Sequence, residues 1–146
     1  MDRKRLAVTL HVDGGSRGNP GPAGAGVVIR NADDGTVLFE GGYYLGRTTN
    51  NVAEYQGLLR GLEKAAGLNA DETRVHSDSQ LLVRQMNGEY RVRNAGLKPL
   101  FQQARQLCGR FRQVTFTHVR REQNADADRL ANQAMDLRVN VEDASA

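Results

Sequence analysis

The feature that most constrains this chain is a change of hydrophobic period near residue 50. Before it, apolar residues alternate. Leu6, Val8, Leu10 and Val12 fall on one side of a stretch whose other side is Ala7, Thr9 and His11, which is the signature of a strand. After it, Tyr55, Leu58, Leu59, Leu62, Ala65 and Ala66 recur at three and four, the spacing of one helix face. A chain that changes period in this way cannot be all helix or all sheet. The alternating half predicts strands at Leu6 to Val12, Ala25 to Arg30 and Thr36 to Leu45, with a turn at Asn31 to Gly35. The segment from Gly14 to Pro22 is expected to be a loop, because its glycines and prolines disfavour regular structure. The second half alternates helix and strand. Helices are predicted over Asn51 to Ala66 (closed by Gly67), Ser79 to Met86, Leu97 to Cys108 and Asn124 to Met135, with short strands at Arg74 to Ser77 and Gln113 to Val119. Right-handed crossovers place the later strands parallel to the first. The expected fold is therefore α/β: a five-stranded mixed sheet, three antiparallel strands then two parallel, with helices on both faces.

With 146 residues and no internal repeat or linker, the chain suits one domain over 1–138, leaving 139–146 as a frayed tail or the start of a linker. No apolar run reaches the roughly 20 residues of a membrane span. The basic start, Met1 to Arg5, leads into an alternating stretch unlike a signal-peptide core. The single cysteine, Cys108, excludes an internal disulfide and a cysteine-based zinc cage. A cytoplasmic, monomeric protein is expected. Net charge is only +3. If four carboxylates were committed to cations, the remaining surface would be distinctly basic and suited to a polyanion.

Four acids stand where neither a core nor a helix stripe needs them. Asp13 ends the first strand and Asp78 ends the strand beginning near Arg74. Glu54 lies early in its helix beside the apolar stripe, and Asp128 lies early in the last helix next to Ala127. Ligands of open α/β sheets gather at the carboxyl ends of strands. Carboxylates that converge raise each other's pKa unless compensated, and oxygen-rich clusters of this kind take hard divalent cations. A pair of such ions can clamp the attacking and leaving oxygens of a phosphodiester. Each acid alone also suits a plainer part: Asp13 as a turn starter, Glu54 as a solvent-facing helix residue, Asp78-Ser79 as a helix cap, Asp128 (like Asp126) as an exposed partner for a neighbouring charge. Spacing by itself does not join them into one site.

The sequence around each acid does. Val12-Asp13-Gly14-Gly15-Ser16-Arg17-Gly18-Asn19-Pro20-Gly21 resembles the opening motif of type 1 ribonucleases H. Thr48-Thr49-Asn50-Asn51-Val52-Ala53-Glu54 resembles the second motif, His76-Ser77-Asp78-Ser79-Gln80 the third, and Asn124-Ala125-Asp126-Ala127-Asp128-Arg129-Leu130-Ala131 the fourth. The similarity runs from about Leu6 to Met135, with all four motifs in order. It implies an endoribonuclease that hydrolyses the RNA strand of RNA–DNA hybrids and leaves 5′-phosphates. By the same resemblance, two Mg2+ ions (Mn2+ as substitute) are held by Asp13, Glu54, Asp78 and Asp128. Asp13 would bridge both ions, Asp128 would complete the site of the ion carrying the attacking water, and Glu54 and Asp78 the other. The resemblance further implies that Ser16, Asn19, Asn50, Asn51 and Gln80 read ribose 2′-hydroxyls and that Thr49 contacts phosphate. Asn19-Pro20 shaping a loop and Asn50 capping the helix are the structural alternatives.

The chain departs from the pattern twice. The path from Met86 to Leu97 is too short for the basic helical insertion of some relatives, leaving Arg91, Arg93 and Lys98 to replace part of its grip or merely coat a surface. The loop before Asp128, Arg120-Arg121-Glu122-Gln123, has no histidine. His118 fits the last strand, so Glu122 is the residue left to assist proton transfer. Gly14-Gly15-Ser16-Arg17-Gly18 also matches the nucleophile elbow of α/β-hydrolases, but Asn19-Pro20-Gly21-Pro22 forbids the helix an elbow requires. It lacks the Gly-Lys-Ser/Thr of a phosphate loop. The remaining alternatives are an RNase H-like DNA nuclease of transposase or resolvase type, and a catalytically silent hybrid-binding module on the same fold.

Overall fold

The computed structural model describes residues 5–143. Its elements are β1 (Ala7–Ser16), β2 (Gly21–Asn31), β3 (Val37–Thr48), α1 (Asn50–Gly67), β4 (Glu72–Ser77), α2 (Gln80–Met86), α3 (Lys98–Cys108), β5 (Gln113–His118), α4 (Ala125–Leu137) and β6 (Val141–Asp143), with a 3-10 turn at Arg121–Asn124 leading into α4. The strands form one mixed sheet in the order β5-β4-β1-β2-β3-β6. β1 to β3 form an antiparallel meander, and β4 and β5 run parallel to β1. The expected fold class holds, but the sheet has six strands and not five. The extra strand corrects the reading of residues 139–146 as a tail. Val141 pairs with Gly42 and Glu142 with Gly41, so a segment too short to show a period gains its structure from the ladder of β3. Residues 144–146 and the basic start at 1–4 lie outside the described residues.

The expected loop from Gly14 to Pro22 also shrinks. Gly14 and Gly15 pair with Ala25 and Gly24, and Ser16 with Ala23. Glycine weakens a strand interior but serves where another backbone approaches closely, as helix backbone does at Gly14. A Cβ on Gly14 would overlap the backbone of Ala53 in α1, and one on Gly26 would overlap the carbonyl of Ala127 in α4. Absence of side chains at these points lets the two helices lie close to the sheet.

The predicted stripes pack as read. Leu58, Leu62 and Ala65 of α1 are fully buried against Val8, Leu10, Val12, Val27 and Ile29. On the opposite face, Val28 packs with Ala127 and Leu130 of α4. Neighbouring β2 residues thus serve opposite cores, as the two-residue period of a strand requires. Each buried Leu contributes about 1.5–3 kcal/mol. Two buried polar contacts tie neighbouring elements: the Tyr55 hydroxyl donates to Gln85 at 2.6 Å, and the Asn124 side-chain amide donates to the Val12 carbonyl at 2.7 Å. The second fixes the start of α4 to the residue preceding Asp13.

Candidate active site

Asp13 and Asp78 are brought together by strand order. β1 and β4 are parallel neighbours with Val12 opposite Ser77, so the next residue of each chain emerges at the same end of the sheet. The close seat of α1 on Gly14 adds Glu54, and that of α4 on Gly26 adds Asp128. All four acids line one cavity of about 490 Å3, together with Ser16, Arg17, Asn50, Arg121 and Asn132.

Their electrostatics show that the acids act on one another. Burial, the charge of Asp78, and a hydrogen bond and charge from Asp128 push the Asp13 carboxyl up to about 8, against a smaller opposing pull from the Gly14 backbone N–H. Burial raises Glu54 to about 7, helped by Asp78; the Ser79 hydroxyl, donating to the carboxylate, works the other way. Ser79 also accepts from the Leu82 N–H as the cap of α2, at 3.2 Å. The plainer reading of Asp78-Ser79 as a helix cap is therefore true of Ser79, while Asp78 faces the cavity. No three His, Cys, Asp or Glu side chains stand already arranged as a ligand cluster among the described residues. Instead Asp128 stands close enough to Asp13 for its carboxylate to push the Asp13 carboxyl up. A hard divalent cation suits this donor set: every candidate ligand is a carboxylate oxygen, and the raised pKa values of Asp13 and Glu54 come first from burial and then from neighbouring acids.

The expected substrate-contact residues divide. Ser16 and Asn50 line the cavity. The Ser16 N–H and hydroxyl both donate to Asn50 Oδ1, at 2.8 and 3.1 Å, and the Asn50 N–H donates to Asn19 Oδ1 at 3.1 Å. These three form one polar network at the cavity mouth. Asn50 is not the helix cap; Thr49 is, its hydroxyl accepting from the Val52 N–H at 3.3 Å. Asn51 and Gln80 are exposed at the starts of α1 and α2. Glu122 is placed apart. It is exposed and lines a separate, smaller cavity with His11, Arg30 and Asp126, while its neighbour Arg121 lines the acidic one, 4.0 Å from Asp128.

Three residues had no role in the sequence reading. Asn124 anchors α4 to β1. Asn132 donates from its side chain to the Asp128 carbonyl at 3.0 Å, and Arg17 reaches α4 across 115 positions of sequence. Asn132 and Asp136 follow Asp128 at helical spacing, and that periodicity was the available signal. The Arg17 contact had none.

Residues 11–134 match the family described as Reverse transcriptase-like. The bifunctional protein Rv2228c of Mycobacterium tuberculosis is 50% identical over 90% of this chain, which spans 36% of that protein's length. The structure of its N-terminal RNase H domain, as a fusion with maltose binding protein, matches with a TM-score of 0.88 over 90% of this chain and 95% of the other. RNase H1 from Halobacterium salinarum is 42% identical with a TM-score of 0.86, covering 89% of this chain and 98% of that one. LC11-RNase H1 in complex with an RNA/DNA hybrid is 43% identical, with a TM-score of 0.84 over 90% and 98% of the two chains. With the family match spanning all four acids and these relatives covering about nine-tenths of its length, the chain belongs to the type 1 ribonuclease H family.

Proposed function

We propose that this chain hydrolyses the RNA strand of RNA–DNA hybrids and that Asp13, Glu54, Asp78 and Asp128 hold the two divalent cations, Mg2+ or Mn2+, that the reaction needs. One observation carries the reading: acids from β1, α1, α4 and the turn after β4 line a single cavity with Ser16 and Asn50 at its mouth. Support comes also from a relative, LC11-RNase H1, solved with an RNA/DNA hybrid. Bound in such a site, divalent cations supply a water of lowered pKa and neutralise charge on the phosphate. The protein's own residues do the rest. The Gly14 N–H and Ser79 hydroxyl orient the Asp13 and Glu54 carboxylates. Ser16, Asn19 and Asn50 present hydroxyl and amide groups able both to donate and to accept, as a ribose 2′-hydroxyl requires and a deoxyribose cannot answer. Arg121 sets positive charge on the cavity wall, which favours entry of a polyanion. Attack on the phosphodiester then leaves a 5′-phosphate and a 3′-hydroxyl.

The test offers end-labelled hybrid, duplex DNA and duplex RNA to the protein and to Asp13→Asn, with Mg2+ and with chelator. The expected result is efficient cutting of the hybrid's RNA strand alone, abolished by either the substitution or the chelator. Cutting that persists in chelator overturns the mechanism.

A further inference from the structure

The end of β1 and the turn that follows it hold two helices at once. Ser16 and Asn19 hold the N-terminal end of α1 through Asn50. Between them in sequence, Arg17 turns the other way. Its guanidinium lies 2.7 Å from Asp136 Oδ1 and donates to Asn132 Oδ1 at 3.2 Å and to the Asn132 carbonyl at 3.5 Å. Asp128, Asn132 and Asp136 lie four residues apart along one row of α4, and Asn132 donates in turn to the Asp128 carbonyl. A four-residue turn thus straps together two helices that sit on opposite faces of the sheet, and it does so at the mouth of the acidic cavity. Only one side of the strap is provided by the ribose-facing network; the other side is Arg17.

We infer that Arg17 is a positioning residue: its grip on Asp136 and Asn132 sets the offset between the Ser16–Asn19–Asn50 network and Asp128, and so which phosphate is presented once a ribose is read. The inference rests on the reaction proposed above. As an ion pair the contact is weak, because Arg17 and Asp136 are 46% and 64% exposed and exposed pairs contribute little to stability. Its value is geometric, since a misplacement of about 1 Å between a reading group and the reacting phosphate can cost up to about a hundredfold in rate.

The experiment compares Arg17→Gln, Asp136→Asn, Arg17→Lys and the exchanged pair Arg17→Asp with Asp136→Arg. Each is assayed for kcat and KM on the hybrid, for Mn2+ affinity by calorimetry, and for thermal midpoint. The two neutral single variants are expected to lose about tenfold in kcat, with KM and Mn2+ affinity within about twofold and midpoints within about 3 °C of the parent. Arg17→Lys, which keeps the charge but not the planar fork, should fall between. The exchanged pair should recover most of the loss. The inference is overturned if the single variants keep full kcat, if the exchanged pair is no better than the worse single variant, or if Mn2+ affinity falls in step with kcat. An unaltered protein that leaves the hybrid uncut sinks the underlying reaction, and this inference with it.

Discussion

Asp13→Asn should make the metal-free protein more stable while destroying its ability to be stabilised by metal. The Asp13 carboxyl goes from an ordinary 3.8 to about 8 on folding. Near neutral pH the folded chain must therefore hold a proton that the unfolded chain releases. Each pKa unit corresponds to about 1.4 kcal/mol, so this one group opposes folding by up to about 4 kcal/mol at neutral pH. Because Asp13 titrates in the field of Asp78 and Asp128, so that only part of this cost belongs to Asp13 alone, about 2 kcal/mol is the expected gain when the acid becomes an amide. The sign follows from proton uptake. A folded pKa raised above the unfolded one favours the folded state most below about pH 4, and that advantage is lost progressively as pH rises towards 8. Urea denaturation in chelator should thus give a parent protein that weakens from about pH 5 to pH 8 and a variant with a flatter profile and a higher midpoint at neutral pH. Adding Mg2+ should reverse the ranking, because the cation displaces the proton and stabilises only the chain that can bind it. A variant that is less stable than the parent in chelator, or one whose pH profile keeps the parent's slope, refutes the account of Asp13 as an uncompensated acid.

Two further outcomes follow from local geometry. Gly26→Ala should cost more than about 3 kcal/mol by urea denaturation, since the added Cβ would overlap the Ala127 carbonyl and backbone cannot turn aside as a side chain can; a neutral result would mean that α4 does not sit on β2 as described. Ser79→Ala should raise the Glu54 pKa above about 7, because the lost hydroxyl donor is what opposes burial there, and should remove about 1 kcal/mol of capping from α2; carboxyl titration by NMR and thermal melting check the two parts separately.

Much of this protein was legible in its sequence because much of it is local. Alternation at Leu6 to Val12 and the three-and-four spacing from Tyr55 to Ala66 are written in neighbouring residues, and each survives in the fold as β1 and α1. The four acidic motifs were likewise readable, since each is a short run with its own signature. Other features lay beyond that reach. Gly14 reads as loop because its sequence cannot reveal that helix backbone covers it. Val141–Asp143 reads as tail because three residues have no period, and only the ladder of β3 makes them a strand. Asn50 and Thr49 are both acceptable caps by type; the geometry of the turn assigns the cap to Thr49.

What the sequence alone determined, then, is the order of the elements and the identity of the acids, because hydrophobic period and motif are properties of adjacent residues. What only the tertiary structure decided is that Asp13 and Asp78 leave the sheet side by side, that α1 and α4 come close enough to add Glu54 and Asp128, and that Arg17 ties the turn beside them to α4. Those are distances between groups remote in the chain. They are set by strand order and by how closely helices can approach glycine, which no local pattern records.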